Sequence, residues 1–345
     1  MKIASEDLDL IALHTGDLWK EMQGRRIFIT GGTGFFGCWL VESFCHMNRL
    51  LGLGAEAVVL SRNPDAFARK CPHLVSDPAV SLHAGDVRNF EFPDGEFGFA
   101  IHAATEASAK QAAEEPLEML STIIAGTERT LQFAATHGVT KFLLTSSGAV
   151  YGKQPPELTH VPESYGGAPD PLDPNSVYGE GKRISELLCS LFAKRSPMEC
   201  KIARCWAFCG PHLPLDQHFA IGNFIGDVLA GRPIRISGDG EPRRSYLYAA
   251  DLAIWLWTLL FRAPALVPFN VGSERDVSIL ELAKTVAAML SPETEIQVAR
   301  DPVPGVLPPR YVPSVKRARN ELGLSETIAV EESIRRTARW QRSLR

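Results

Sequence analysis

Residues 27–37 read Ile-Phe-Ile-Thr-Gly-Gly-Thr-Gly-Phe-Phe-Gly and decide the fold of this chain. Residues 27–29 form an apolar, β-branched run, which predicts a buried parallel strand. The glycines at Gly31, Gly34 and Gly37 then follow the G-x-x-G-x-x-G spacing of a tight turn from a strand into a helix. The first permits the turn, the second lets a pyrophosphate approach the backbone, and the third lets the helix pack close to the strand. The stretch therefore predicts a dinucleotide-binding unit whose anion lies at a helix N-terminus.

Length, composition and charge limit the classes of function that the chain can have. The chain has 345 residues, of which 45% are hydrophobic, and a net charge of −4, so it can bury a large core. No clustered Lys/Arg footprint is present, which argues against nucleic acid as a partner. No apolar run is long enough to span a bilayer, and the N-terminus lacks a signal-peptide pattern. We therefore expect a cytoplasmic protein with no membrane partner.

The seven cysteines occur at irregular spacings. Cys200, Cys205 and Cys209 are the closest group, and they lack the Cys-x-x-Cys signature of a metal or redox site. The sequence predicts reduced core thiols and no metal site.

The alternation of strands and helices after the glycine stretch predicts an α/β fold, a doubly wound parallel sheet of the Rossmann type with right-handed crossovers. Residues 3–22 have apolar positions at helical spacing and predict an N-terminal helical extension, 1–24, packed on the body or on a second subunit. The cofactor-binding domain is expected at 25–210. Its predicted strands are 27–29, 57–60, 80–83, 97–102, 141–145 and 200–208, and its predicted helices are 35–51, 112–137 and 176–195.

The regular alternation of strands and helices ends after residue 151. Residues 154–175 are crowded with proline and glycine, which predicts a long loop bordering a site. Residues 211–345 are expected to form a smaller α/β substrate lobe, interleaved with the end of the sheet. Its predicted strands are 234–236, 245–248 and 269–271, and its predicted helices lie near 218–230, 250–262, 278–290 and 326–341.

The residues after the second strand bear on the choice of cofactor. A carboxylate there would bind the 2′-hydroxyl of NAD, whereas this chain has Ser61 and Arg62, which suit a 2′-phosphate. The sequence favours NADP, with NAD as the alternative, because a surface arginine can also be a solvated charge.

Tyr178 and Lys182 lie four residues apart at the start of a predicted helix, so they share one helical face. A cation beside the phenol would favour the phenolate and tune Tyr178 as a general acid or base. Ser147 follows the strand at 141–145 and could hydrogen-bond the same substrate oxygen. These three residues are the candidate proton-relay set beside a hydride acceptor.

The order of these motifs resembles the extended short-chain dehydrogenase/reductases, in particular the nucleotide-sugar epimerase/dehydratase family, over about residues 25–340. The resemblance rests on the glycine stretch, Gly85-Asp86-Val87, His102-Ala103-Ala104, Ser146-Ser147-Gly148, Tyr178-x-x-x-Lys182 and the stretch at 244–252.

The resemblance implies a role for each matching residue. Ser147, Tyr178 and Lys182 would be catalytic, and Ser147 and Glu106 would contact a nucleotide-diphosphate sugar whose phosphates lie on Asn223 and Arg244. It also implies a homodimer through the helices at 112–137 and 176–195. The cofactor would contact the turn and the strand ends: Gly31, Thr33, Gly34, Phe35, Phe36, Gly37, Ser61, Arg62, Asp86, Val87, Ala103, Ala104 and Thr105, together with Tyr178 and Lys182.

Departures from the family pattern narrow the chemistry. Hexose dehydratases of this family carry an Asp-Glu pair where this chain has Gly148 and Ala149, which cannot transfer protons. Asparagines usual in the family are replaced by Ile123 and Ala207, and His218, like Glu106, is a polar residue that could reach the sugar.

The expected activity is that of a nucleotide-sugar epimerase or keto-sugar oxidoreductase with hydride transfer at a sugar carbon, expected to be C4. Alternatives are a dehydratase of unusual type, an NADPH-dependent reductase of a non-sugar ketone, and a non-catalytic cofactor-binding protein.

Overall fold

A computed structural model describes residues 2–104, 109–217 and 219–344. Its strands run in chain order as β1 Arg26–Thr30, β2 Glu56–Ser61, β3 Val80–Ala84, β4 Phe99–His102, β5 Lys141–Ser147, β6 Glu199–Cys205, β7 Phe208–Cys209, β8 Ile234–Ile236, β9 Arg243–Ser245, β10 Leu247–Tyr248, β11 Pro268–Val271, β12 Asp276–Ser278, β13 Ile296–Val298 and β14 Arg310–Tyr311. Its α-helices are α1 Ser5–Thr15, α2 Phe35–Leu51, α3 Pro64–Lys70, α4 Pro72–Val75, α5 Ala109–Glu114, α6 Pro116–Thr136, α7 Val177–Ala193, α8 Ala220–Leu229, α9 Ala249–Arg262, α10 Ile279–Leu290, α11 Lys316–Leu322 and α12 Val330–Arg342. Short 3₁₀ helices occupy Gly16–Met22, Gly148–Tyr151 and Pro174–Ser176.

The main sheet has the order β11-β6-β5-β4-β1-β2-β3, and every neighbouring pair is parallel. This confirms the predicted doubly wound parallel sheet. The strand order reverses between β1 and β4, and in such sheets the crevice outside the carboxyl ends of the strands at that point is where ligands bind.

Helix α2 begins at Phe35 and ends at Leu51, as its sequence pattern predicts. Gly52 follows it with φ 60, a left-handed C-cap that glycine adopts at no steric cost. The face of α2 that turns to the sheet is fully buried, so the helix fixes the position of the glycine turn that precedes it.

The helix predicted at 112–137 is two helices in the structure. Pro116 is the first residue of α6, and Glu115 before it has φ −137 and ψ 57, outside the helical region. The interruption follows from the clash between a proline ring and a helical residue in front of it.

Two strands predicted as single elements are divided. The run at 200–208 separates into β6 in the main sheet and β7, which pairs with β10 in a small second sheet. Trp206 donates its backbone N–H to the carbonyl oxygen of Val271 at 3.0 Å, which marks where the chain leaves the main sheet. The run at 245–248 likewise divides between β9 and β10.

The N-terminal extension packs on the body of its own chain. Trp19 is fully buried, with its ring centroid 4.5 Å from that of Trp257 on α9. The Tyr248 hydroxyl donates to Asp7 Oδ2 at 2.7 Å, and the backbone N–H of Ile3 donates to Glu42 Oε1 at 2.7 Å. These contacts bury the face of α1 that the sequence periodicity predicts.

The C-terminal part contributes to both layers of the fold. Strand β11 completes the edge of the main sheet, and α9 is buried against it, whereas α8, α10 and α12 enclose a separate apolar cluster. Within the described residues, no helix is both long enough and apolar enough to cross a membrane.

Candidate active site

A cleft opens at the carboxyl ends of the parallel strands, where the strand order reverses between β1 and β4. Its lining includes nine of the predicted cofactor residues: Gly31, Thr33, Gly34, Ser61, Arg62, Asp86, Val87, Ala103 and Ala104. The other described residues of the lining, which sequence reasoning missed or gave no cofactor role, come from strand ends and from α6: Leu60, Gly85, Glu118, Met119, Thr122 and Ile123. The α6 residues lie one helical turn apart, and only the fold shows that this face borders the cleft.

The three glycines of the turn differ in what an added side chain would meet. Gly31 has φ 72, and a Cβ placed there would lie 2.4 Å from the carbonyl carbon and oxygen of Ala103. A Cβ on Gly37 would lie 2.2 Å from the Gly31 oxygen, so the start of α2 can approach the turn only with glycine there. A Cβ on Gly34 would meet only the Gly31 oxygen, at 3.4 Å, which leaves this position open to the cleft.

The N-terminus of α2 has the features of an anion-binding helix end. Gly34 occupies the N-cap without a side-chain cap, and the first turn contains no acidic residue. The backbone N–H groups of that turn therefore lack side-chain acceptors, and the helix dipole favours negative charge in front of them. The side chains of Phe35 and Phe36 turn away, with the Phe36 ring packed 5.0 Å from that of Phe208.

The far end of the cleft carries a charged pair. Arg88 donates to both carboxylate oxygens of Asp86, at 2.8 and 2.9 Å, and this hydrogen bonding lowers the pKa of Asp86. The charge of Arg62 lowers it further, which places the Arg62 guanidinium near this carboxylate. The Arg62 side chain is exposed at the rim of the cleft.

Ser147, Tyr178 and Lys182 meet at the end of β5. The Tyr178 phenol lies beside the Ser147 hydroxyl, whose oxygen accepts the backbone N–H of Ala149 at 3.1 Å. Lys182 Nζ donates to the carbonyl oxygen of Thr145 at 2.7 Å and lies 5.9 Å from the centroid of the Tyr178 ring. The structure thus brings together the three residues that the sequence places on a strand end and on one helical face.

Burial controls the protonation of this group. It raises the pKa of Tyr178 to about 12, although the neighbouring Ser147 hydroxyl acts in the opposite direction. It lowers the pKa of Lys182 to about 8, against the charges of Cys205 and Glu186. The sequence predicts that Lys182 favours the Tyr178 phenolate, whereas desolvation dominates here, because both groups favour their neutral forms away from water.

A third hydroxyl, that of Tyr311, joins the group and was missed by sequence reasoning. The Tyr311 phenol lies beside the Ser147 hydroxyl, and burial raises the pKa of this phenol. Its ring packs 4.4 Å from that of Trp206, and both rings cover Gly148. A Cβ on Gly148 would lie 2.7 Å from the Trp206 ring and 2.8 Å from the Tyr311 oxygen. No carboxylate side chain can therefore occupy position 148 without moving these rings.

Arg244 reaches the same group through the small sheet of β12, β9 and β14. Its Cα pairs in register with that of Tyr311, and its guanidinium lies 5.9 Å from the Tyr311 ring centroid. Asn223, on α8, has a buried Oδ1 atom with no hydrogen-bond partner in the part of the chain that is described.

Ser146, next to Ser147, belongs to a structural brace. Its hydroxyl donates to Glu186 Oε1 at 2.6 Å, and Glu186 accepts two hydrogen bonds from Arg204. Three other candidates, Thr105, Glu106 and His218, lie outside the described residues.

Comparison with known proteins identifies the family. The model of the NAD dependent epimerase/dehydratase family matches residues 27–272. The UDP-glucuronic acid decarboxylase 1 of Arabidopsis thaliana is 31% identical over 312 residues, which cover 90% of this chain and 68% of that protein.

Solved structures share the fold. The UDP-N-acetylglucosamine 4-epimerase of Methanobrevibacter ruminantium, in complex with UDP-N-acetylmuramic acid, has a TM-score of 0.80 at 19% identity and covers 94% of this chain and 100% of its own. The Bordetella bronchiseptica enzyme WbmF in complex with NADH has a TM-score of 0.76 at 19% identity, covering 94% and 93%. With a glycine turn shaped for a dinucleotide and a family model matched over most of its length, the chain belongs to the NAD-dependent epimerase/dehydratase family of enzymes.

Proposed function

We propose that this protein oxidises and re-reduces a nucleotide-diphosphate sugar at one sugar carbon, expected to be C4, with Tyr178 as the acid and base. The observation that carries the proposal is the cluster of the Ser147, Tyr178 and Tyr311 hydroxyls beside Lys182, at the end of the sheet that also bears the glycine cleft. Hydroxyls and one amine can move a proton to or from a sugar oxygen, and positions 148 and 149 offer no group for water elimination.

The nicotinamide cofactor, when bound, supplies the hydride acceptor and donor. The fit of the cleft to it rests on the open position at Gly34 and on the uncapped N-terminus of α2. The protein's own steps are then these: Ser147 and Tyr311 hold the sugar oxygen, Tyr178 accepts its proton as the carbinol becomes a ketone, and Tyr178 returns a proton when the ketone is reduced. Lys182 stabilises the phenolate by its charge.

Two outcomes of this chemistry remain to be distinguished by product. Return of hydride to the opposite face gives an epimer. If the sugar bears a carboxylate β to the new ketone, carbon dioxide is lost before reduction. Because the chain is similar to UDP-glucuronic acid decarboxylases, the assay should include a substrate of that kind. Incubation with UDP-hexoses and with UDP-hexuronates, followed by product identification, separates the two, and absence of any product from either would contradict the proposal.

We propose NADP as the preferred cofactor, because the exposed guanidinium of Arg62 lies in the part of the cleft lining that also contains Ser61 and Asp86. Replacing Arg62 by alanine is expected to raise the Kd for NADP⁺ about tenfold, from loss of a charge-assisted hydrogen bond to the 2′-phosphate. The Kd for NAD⁺ should change less than about twofold. Fluorescence titration measures both, and Arg69→Ala, an exposed arginine on α3 outside the cleft lining, is the matched control. Equal effects on the two cofactors would refute the assignment.

We propose that Arg244 binds the diphosphate of the substrate. Arg244→Gln is expected to raise KM for the nucleotide sugar about tenfold or more, since a bidentate guanidinium contact to an oxyanion is lost. Initial-rate kinetics measure the effect, with Arg235→Gln, an exposed arginine of the same lobe, as the control. A neutral ketone as substrate would be insensitive to Arg244, so an unchanged KM would favour the reductase alternative.

A homodimer remains part of the proposal. Leu117 on α6 and Leu187 and Leu191 on α7 are exposed, the last two on one helical face, and α6 packs beside α7. Exposed apolar side chains on two neighbouring helices suit burial against a second copy.

A further inference from the structure

A second group of reactive side chains lies apart from the cleft lining, on the far side of the glycine turn. Cys38, Cys71 and His212 are buried, and their sulfur and ring nitrogen atoms all lie within 4.8 Å of one another. Cys38 belongs to α2, Cys71 joins α3 to α4, and His212 follows β7. None of the three belongs to the chemistry proposed above.

His212 lacks the partners that a buried histidine requires. The residue is 7% exposed, and neither ring nitrogen has a hydrogen-bond partner in the described part of the chain. Its backbone has φ 70, in the left-handed region that is uncommon for any residue but glycine. A buried ring with unpaired nitrogens costs free energy, and a strained backbone persists only where the surroundings require it. Both features are explained if the ring binds a ligand.

The partners that surround the ring are soft sulfur donors. The sulfur atoms of Cys38 and Cys71 lie within 4.8 Å of each other, and Cys38 Sγ donates to the carbonyl oxygen of Thr33 at 3.7 Å. The five cysteines elsewhere in the described chain have no histidine grouped with them in this way. Thiolates with an imidazole form the donor set that zinc prefers.

A carboxylate stands next to this group. Glu42 lies one helical turn after Cys38 on α2, so the two side chains share a face. Its Oε1 accepts the backbone N–H of Ile3, whereas its Oε2 is buried without a hydrogen bond within the described residues, 3.2 Å from the His73 ring nitrogen. Glu42 is not among the donor atoms that lie within 4.8 Å of one another, so its carboxylate neighbours the group without being one of its ligands.

We propose that Cys38, Cys71 and His212 bind one Zn²⁺ ion as three protein ligands, with a water in the fourth position. Zinc–sulfur and zinc–nitrogen bonds of about 2.3 and 2.0 Å place tetrahedral ligand atoms about 3.5–3.8 Å apart. The three donor atoms need to close by only about 1 Å or less to reach that geometry. Ordinary side-chain adjustments span this distance.

The ion would act as a structural cross-link. It would join the start of α2 to the α3–α4 junction, and the same two segments already converge on Thr33, whose carbonyl oxygen accepts Lys70 Nζ at 3.1 Å. Because Thr33 lies within the glycine turn, the zinc ion would stabilise the position of that turn through Cys38 and Cys71. It would do so without contacting the substrate. The proposal does not depend on which reaction the cleft catalyses.

The test measures metal on the full-length protein, purified under reducing conditions. Elemental analysis is expected to find about one zinc per chain in the wild type and less than about a tenth of that in His212→Asn. Asparagine tolerates the left-handed backbone, so this variant removes the imidazole without straining the loop. Cys200→Ala removes a buried thiol that is hydrogen-bonded to Cys189 with no histidine beside it, and it should retain full zinc.

A second measurement uses the wild type alone and so does not depend on how any variant folds. Cobalt(II) added to the metal-free protein should give the thiolate-to-metal absorption and the visible bands of a tetrahedral site, and zinc should displace them. The proposal is overturned if the reduced wild type neither retains zinc nor produces these bands, if His212→Asn retains as much zinc as the wild type, or if Cys38 and Cys71 are isolated as a disulfide.

Discussion

Replacing Tyr178 by phenylalanine is expected to lower kcat by about 10³-fold, because the variant loses the group that exchanges a proton with the sugar oxygen. The substitution removes one oxygen atom and leaves the ring in place, so the fold and the cofactor affinity should stay close to those of the wild type. Steady-state rates with the nucleotide sugar, together with a cofactor titration, measure both quantities. Tyr165→Phe, which removes a half-buried phenol outside this group, is the matched control.

The dependence of the reaction rate on pH provides a second test of the role of Tyr178. Burial raises the pKa of Tyr178 to about 12, so the phenol holds its proton at neutral pH. The state in which a phenolate stands beside a protonated Lys182 grows with pH only up to the pKa of that lysine, about 8. The rate of sugar oxidation should therefore increase with pH below about 8 and level off above it. A pH-independent rate, or a Tyr178→Phe variant with wild-type kcat, would show that another group moves the proton.

The second large effect is expected at Gly31. Alanine there would place a methyl group 2.4 Å from the Ala103 carbonyl and would also force a side chain into a backbone with φ 72. We expect the free energy of unfolding to fall by about 3 kcal/mol, with loss of cofactor binding, because overpacking and left-handed strain add. Urea unfolding and a fluorescence titration with the cofactor measure the two effects.

Gly34 separates binding from folding. Its φ is −82, and an added methyl group would meet only the Gly31 oxygen, at 3.4 Å. Gly34→Ala should keep the wild-type stability within about 1 kcal/mol while raising the cofactor Kd tenfold or more, since the methyl group stands where a pyrophosphate approaches. Gly166→Ala, at an exposed position with nothing within 4 Å, controls for the loss of a glycine itself. Equal loss of stability in the Gly31 and Gly34 variants would contradict these separate roles.

Much of this arrangement could be predicted from local sequence. The turn at Gly31, Gly34 and Gly37 has a spacing that only a close strand-to-helix turn requires, and α2 begins and ends where its apolar periodicity does. Tyr178 and Lys182 are four residues apart on one helix, so their proximity follows from helical geometry alone.

Contacts between distant segments could not be predicted in this way. Tyr311 reaches Ser147 because β14 pairs with β9, a register that neither short strand signals by itself. The burial that raises the pKa of Tyr178 likewise appears only once the chain has folded. Cys38, Cys71 and His212 meet only in the folded chain, which is why cysteine spacing predicts no metal site.

The central claim, that Tyr178 moves a proton while hydride passes between the sugar and the nicotinamide, is tested most directly by absorbance at the wavelength of the reduced cofactor in a single turnover. Protein loaded with oxidised cofactor is mixed with a nucleotide sugar that the wild type turns over. The account predicts a transient or lasting rise in reduced cofactor in the wild type and in Arg62→Ala at saturating cofactor, and no rise on the same timescale in Tyr178→Phe. Product formation without reduced cofactor in the wild type, or the same rise in Tyr178→Phe, would contradict it.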